Sequence, residues 1–103
     1  CVVSHGAVLR IRVKDPVLSD QLAINFRKSK ITKKQMAMLN FAVKVTKESD
    51  NISDKDFEIL QDHGFDIEDA WRIASVASFF AMSNRLANTF SMLPNTEFYN
   101  MGR

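Results

Sequence analysis

The stretch DIEDAWRIASVASFFAMSNRLANTFSMLP, residues 66–94, decides the fold. Asp66 offers a capping oxygen at its start. Pro94, which has no N–H to donate, closes it, so the pattern predicts a helix running to about Leu93. Between Ala70 and Thr96 the only charges are Arg72 and Arg85. Ala70, Ala74, Ala77 and Ala81 make a small-residue face, and Ile73, Val76, Phe80, Ala87 and Phe90 make a larger one. Small residues let a neighbouring helix approach closely and large ones fill the remaining space. A helix with apolar cover of this kind is expected to be the core. Arg85 must find a partner or reach water. A buried or intersubunit pair with an acidic residue is expected for it, binding of an anionic substrate being the other reading. Asn84 and the serines 75, 78 and 83 read as hydrogen-bonding residues of the core.

Upstream the chain reads as further helices. Residues 1–13 alternate enough from Leu9 to Val13 to suit a strand, yet Arg10, Arg12 and Lys14 suit a helix C-terminus, so helix through about Arg12 is expected. Asp15-Pro16 starts a second helix, by an Asp cap followed by a first-turn proline, with Leu18, Leu22 and Phe26 as its stripe to about Lys28. Thr32-Lys33-Lys34-Gln35 has the form of a capping box, flanked by Ile31 and Met36 as a hydrophobic staple. The helix it opens should reach about Lys47 and be covered on most sides, because its apolar residues exceed one stripe. Ser53-Asp54-Lys55-Asp56 caps a shorter helix with an Ile52–Phe57 staple. That helix stops at His63-Gly64, where glycine supplies the left-handed residue and Phe65 folds back on Leu60. His63 reads as a C-terminal helix residue rather than a ligand. Residues 94–103 form a tail that needs a partner surface to be ordered. The expected fold class is all-α with about five helices, in a single helical domain over residues 1–103.

Composition sets bounds on function. With 103 residues, 46% of them hydrophobic, three Gly and two Pro, the chain is a helical globular domain and not a disordered one. No apolar run reaches the ~20 residues of a membrane span, and no signal peptide is visible. A single cysteine cannot form an intrachain disulfide, so nothing points to secretion and a cytoplasmic location is expected. The net charge of +2 hides a lopsided distribution: residues 1–47 carry a net +8, residues 48–71 a net −8, and the remainder +2. Such a chain can pair its own halves or pair head to tail with a copy of itself. The acidic block argues against nucleic acid as a partner. The excess of apolar helix surface calls for missing upstream helices, an oligomer, or both. Because the chain opens on Cys1 within an apparent helix, a cut piece with an upstream portion missing is expected.

Chemistry concentrates in Cys1-Val2-Val3-Ser4-His5-Gly6. In a helix Cys1 and His5, at i and i+4, share a face with Cβ atoms roughly 5–6 Å apart. An unperturbed thiol has a pKa of about 8.5 and is only about 3% thiolate at pH 7. Lowering that pKa by ~2 units takes roughly 2.7 kcal/mol. A helix N-terminus contributes ~0.3–1 kcal/mol, which leaves the imidazole of His5 as the further contributor. By spacing alone, Cys1 reads either as a buried structural cysteine or as a reactive one. A metal site is not expected, since Cys1 and His5 supply two ligands and a closed zinc site needs four. No Gly-x-Ser-x-Gly elbow and no glycine-rich phosphate loop is present, and no cofactor is expected.

With Cys1-Val-Val-Ser-His5-Gly6, and onward through Ala7, Leu9, Arg10, Ala42-Val43-Lys44, Gly64-Phe65 and Asn84-Arg85-Leu86-Ala87, the chain resembles the alkyl hydroperoxidase D-like group of the carboxymuconolactone decarboxylase family. It looks closest to the peroxidase-related branch. Cys1 and His5 match the second Cys and the His of that group's Cys-x-x-Cys-x-x-x-His motif. The resemblance implies a helical domain of which this chain is the C-terminal part, assembled as a trimer or hexamer. It also implies a thiol peroxidase that reduces hydroperoxides, with Cys1 as nucleophile, His5 in the proton relay and a lipoyl- or thioredoxin-like dithiol as reductant. The first Cys of the motif and the acidic residue of the relay are not in this chain. The alternative from another class is a non-catalytic helical oligomerisation or binding module with a buried cysteine.

Overall fold

A computed structural model describes residues 1–103 and is helical throughout, without strands. The helices are α1 (Val2–Val13), α2 (Leu18–Asn25), α3 (Lys33–Glu48), α4 (Asp54–Asp62) and α5 (Ile67–Thr89), with 3-10 turns at Phe26–Lys28, Ser49–Asn51 and Thr96–Tyr99. The all-α reading with five helices therefore holds. The chain forms two compact units, one of residues 31–85 and one of residues 1–30 with 86–103.

In the first unit, local chemistry sets the helix ends. The Thr32 hydroxyl accepts from the Gln35 N–H at 3.1 Å and the Gln35 side chain accepts from the Thr32 N–H at 3.0 Å, closing the predicted box at α3. Ser53 and Asp56 form the same reciprocal pair at α4, and Asp66 and Asp69 do so ahead of α5. Each box satisfies two N–H groups that a helix start leaves without partners. Gly64, at φ +88°, ends α4: its N–H donates to the Gln61 carbonyl and that of Phe65 to Leu60, both at 3.0 Å. Phe41, Leu60 and Ala70 are buried together, with Ile52, Phe57 and Phe65 against them. The rings of Phe41 and Phe57 meet at 5.8 Å and 58°. Lys44 Nζ donates to both oxygens of Asp56, at 3.1 and 3.0 Å, and fastens α3 to α4.

Three expectations need correction here. The long helix ends at Thr89, not Leu93, because Ser91 adopts a left-handed φ of 55° and the Met92 N–H turns back to the Ala87 carbonyl at 2.8 Å. That closing turn is the glycine-type C-cap, made here by a serine. Second, α5 is not a buried core helix in this chain: only Ala70 is buried, while Trp71 is 76% exposed and Phe79 57%. Third, the cover of α3 is partial: Ala37 and Phe41 are buried, while Met36, Met38, Leu39, Ala42, Val43 and Val45 are half-buried. Both helices carry more apolar surface than their neighbours here can cover.

In the second unit, α1 packs against α2 and against the turn Thr96–Tyr99. The Asp15 carboxylate accepts from the N–H groups of Val17 and Leu18, at 3.0 and 3.2 Å, and closes the turn ahead of α2, whose N-cap is Val17 and not Asp15 as expected. Regular helix begins only at Leu18, and Pro16 lies in the turn before it. The tail finds its partner surface on α1. The Arg10 guanidinium, 4% exposed, donates from Nε to the Met101 carbonyl at 2.9 Å and from Nη2 to the Phe98 carbonyl at 3.0 Å. Arg103 then pairs with Asp20 of α2 at 2.8 Å.

Candidate functional site

Cys1 stands at the N-cap position of α1, and its side chain makes no capping hydrogen bond. The thiol is free and exposed. His5 follows one turn later, also exposed. Its backbone N–H donates to the Cys1 carbonyl at 2.9 Å, and its ring Nδ1 lies 3.2 Å from the same oxygen. A carbonyl oxygen only accepts, so Nδ1 carries the proton in that contact and Nε2 is the acceptor nitrogen of the neutral ring. The helical turn thus brings the two predicted residues together, and the imidazole is oriented by the backbone of the cysteine itself. Cys1, His5, Val8 and Arg12 share the exposed side of α1, whereas Ala7 and Arg10 are buried.

Other residues fall differently from their sequence reading. Arg85 is exposed and not buried, and its Nη1 donates to the Ala81 carbonyl one turn back at 2.9 Å. His63 sits at the C-cap of α4 as predicted, with Nδ1 2.7 Å from the Ile59 carbonyl. It also lines a groove of ≈ 350 Å³ between α3 and α4, floored by Phe41 and Leu60 and edged by Lys33 and the Lys44–Asp56 pair. Sequence reasoning did not anticipate that groove, nor the burial of Arg10, which was read only as a basic residue near a helix end. The available signal was its place in the apolar run Ala7-Val8-Leu9-Arg10-Ile11. No three His, Cys, Asp or Glu side chains stand close enough together to hold a metal ion. No helix is long and apolar enough to cross a membrane.

Two solved structures match the chain over its full length. One, described as the alkylhydroperoxidase AhpD core, an uncharacterized peroxidase-related protein from Ralstonia eutropha JMP134, is 54% identical with a TM-score of 0.98. The other, an uncharacterized peroxidase-related protein from Silicibacter sp. TM1040, is 42% identical with a TM-score of 0.97. The chain spans 54% of the length of each. No protein-family model and no curated protein matches the sequence.

Proposed function

Because this chain belongs to the AhpD-like family, in its peroxidase-related branch, we propose that it is part of a thiol-dependent peroxidase in which Cys1 reduces hydroperoxides and His5 moves the proton. The observation that carries this reading is the exposed Cys1 at the start of α1 with the His5 ring hydrogen-bonded to its carbonyl. A nucleophilic thiol needs access and an adjacent base, and the one-turn spacing that sets the His5 ring against the Cys1 carbonyl supports that pairing.

The chemistry follows from those two side chains. His5 Nε2 takes the thiol proton, and the thiolate attacks the outer oxygen of the hydroperoxide. The S–O bond forms as the O–O bond breaks, the imidazolium returns its proton to the leaving alkoxide, and an alcohol departs. Cys1 is left as a sulfenic acid. A dithiol reductant, lipoyl- or thioredoxin-like, then supplies a thiolate that attacks the sulfenic sulfur and releases water, giving a mixed disulfide. Its second thiol displaces Cys1 and leaves as the disulfide. In sum, one hydroperoxide and one dithiol give one alcohol, one water and one disulfide. A trimeric or hexameric assembly in the cytoplasm, where dithiols are kept reduced, suits this cycle.

The test compares peroxide consumption by the protein, supplied with dithiol, with that of Cys1→Ser. Loss of at least nine-tenths of the rate in the variant is expected. Equal rates would remove Cys1 from the reaction and return the chain to the binding-module reading.

A further inference from the structure

Beside the tail clamp lies a small cavity of ≈ 70 Å³, walled by Val3, Gly6, Ala23, Tyr99 and the polar side chains of Arg10 and Ser19. Asp20 and Arg103 also line it. Arg10 is 4% exposed and Ser19 6%. A guanidinium has five N–H donors and keeps its charge at any working pH. Arg10 directs one to Met101, one to Phe98 and one, at a long 3.5 Å, to the Ser19 hydroxyl. All three acceptors are neutral, so two N–H groups and the whole positive charge remain unmatched by direct contact. Asp20, in the same wall, attracts Arg10 without touching it, and its carboxylate oxygens are bound by Arg103 at 2.8 and 3.3 Å. A buried charge without a contacting counter-charge is costly, and a bound counter-ion relieves that cost.

We infer that this cavity is a binding site for a small monovalent anion, of the size of formate or chloride, held by the buried Arg10 guanidinium with the Ser19 hydroxyl as a second donor. Size and charge support this occupant. The cavity, ≈ 70 Å³ with Arg10 and Ser19 in its wall, has room for an anion of a few atoms. The charged residues of the wall, Arg10 and Arg103 against Asp20, sum to one positive charge. Gly6 helps to make the room, since a Cβ there would stand 3.6 Å from Arg10 Nη1 and 3.9 Å from Ser19 Oγ. The site is independent of the peroxidase reading, because no step of that cycle uses Arg10.

Sodium formate is the probe, against sodium gluconate at equal concentration, a much bulkier anion that controls for ionic strength. Ligands that bind only the folded state raise the melting temperature by mass action. Formate should raise Tm saturably while gluconate does not, and calorimetric titration should give one site per chain. Arg10→Gln should abolish the effect, but it also cuts the tail clamp. Two further variants therefore carry the test. Gly6→Ala puts a methyl group at ordinary contact distance and favours the helix, and Ala23→Leu fills the cavity from α2. Each should stay folded and bind formate at least tenfold more weakly. Equal Tm responses to formate and gluconate, or unchanged formate affinity in both cavity-filling variants, would overturn the inference and leave the space to water.

Discussion

Gly6 and Gly102 both lie against Arg10, yet an added methyl group has opposite consequences at the two. At Gly6 the new Cβ makes ordinary contacts inside a helix, where alanine is favoured over glycine by roughly 0.5–1 kcal/mol. At Gly102 the backbone is left-handed, φ +77°, and a Cβ would come to 3.0 Å from Arg10 Cβ and 3.1 Å from Ile11 Cγ1. Gly102→Ala is therefore expected to destabilise by about 1–2 kcal/mol, lowering Tm in a thermal melt, whereas Gly6→Ala should raise it. At the site, His5→Gln removes the proton acceptor while leaving the exposed thiol in place. General acid–base catalysis contributes ~10²–10⁴-fold, so stopped-flow peroxide reduction should slow by on the order of 10², and a change under threefold would take His5 out of the relay. The pairing of Cys1 with His5 was legible in the sequence because a helix sets which residues meet four positions apart. The burial of Arg10 was not. Its acceptors are backbone carbonyls 88 and 91 residues away, and a carbonyl has no residue-type signature.

Helix ends were legible where a side chain makes the cap and illegible where the backbone does. Thr32–Gln35, Ser53–Asp56 and Asp66 all cap where their residue types said they would. The end of α5 was missed because a left-handed C-cap normally announces itself as glycine or asparagine, and here Ser91 takes that conformation. Thr32→Ala removes an acceptor that no neighbouring group replaces, and should cost ~1 kcal/mol by denaturant unfolding. At α4 the cap also titrates. The Ser53 N–H, and after it the Lys44 ammonium, hold the Asp56 carboxyl below its ordinary 3.8. The unfolded chain then binds this proton more readily than the folded one, so stability rises with pH across the interval. The contribution is complete above 3.8 and is lost as pH falls through the depressed folded value. Asp56→Asn should accordingly flatten the acid limb of a stability-versus-pH curve below about pH 4 and leave its slope near neutrality unchanged.

At the scale of the molecule, α5 is the element whose surroundings are incomplete. Within residues 31–85, Trp71, Phe79 and Met82 are 76%, 57% and 54% exposed, and turn by turn they fall on one side of the helix. A contiguous exposed apolar stripe of this kind marks an interaction surface. The charge distribution, +8 over residues 1–47 and −8 over residues 48–71, gives two copies a reason to meet in a defined orientation. A second copy of the chain is one occupant that suits this face, and helices of a longer chain are the other, since this chain spans 54% of the length of the matched structures. Phe79→Glu places a charge in the middle of the stripe without touching the Phe41–Leu60 core. In sedimentation velocity over a concentration series, the parent protein should form an oligomer and the variant should run as a monomer. Trp71 gives a second reading, since its emission should lie at shorter wavelength in the assembled parent than in Phe79→Glu. Raising the salt concentration should weaken the association by screening the charged blocks. A parent protein that stays monomeric at all concentrations, with Trp71 emission matching that of the variant, would assign the α5 face to some other partner.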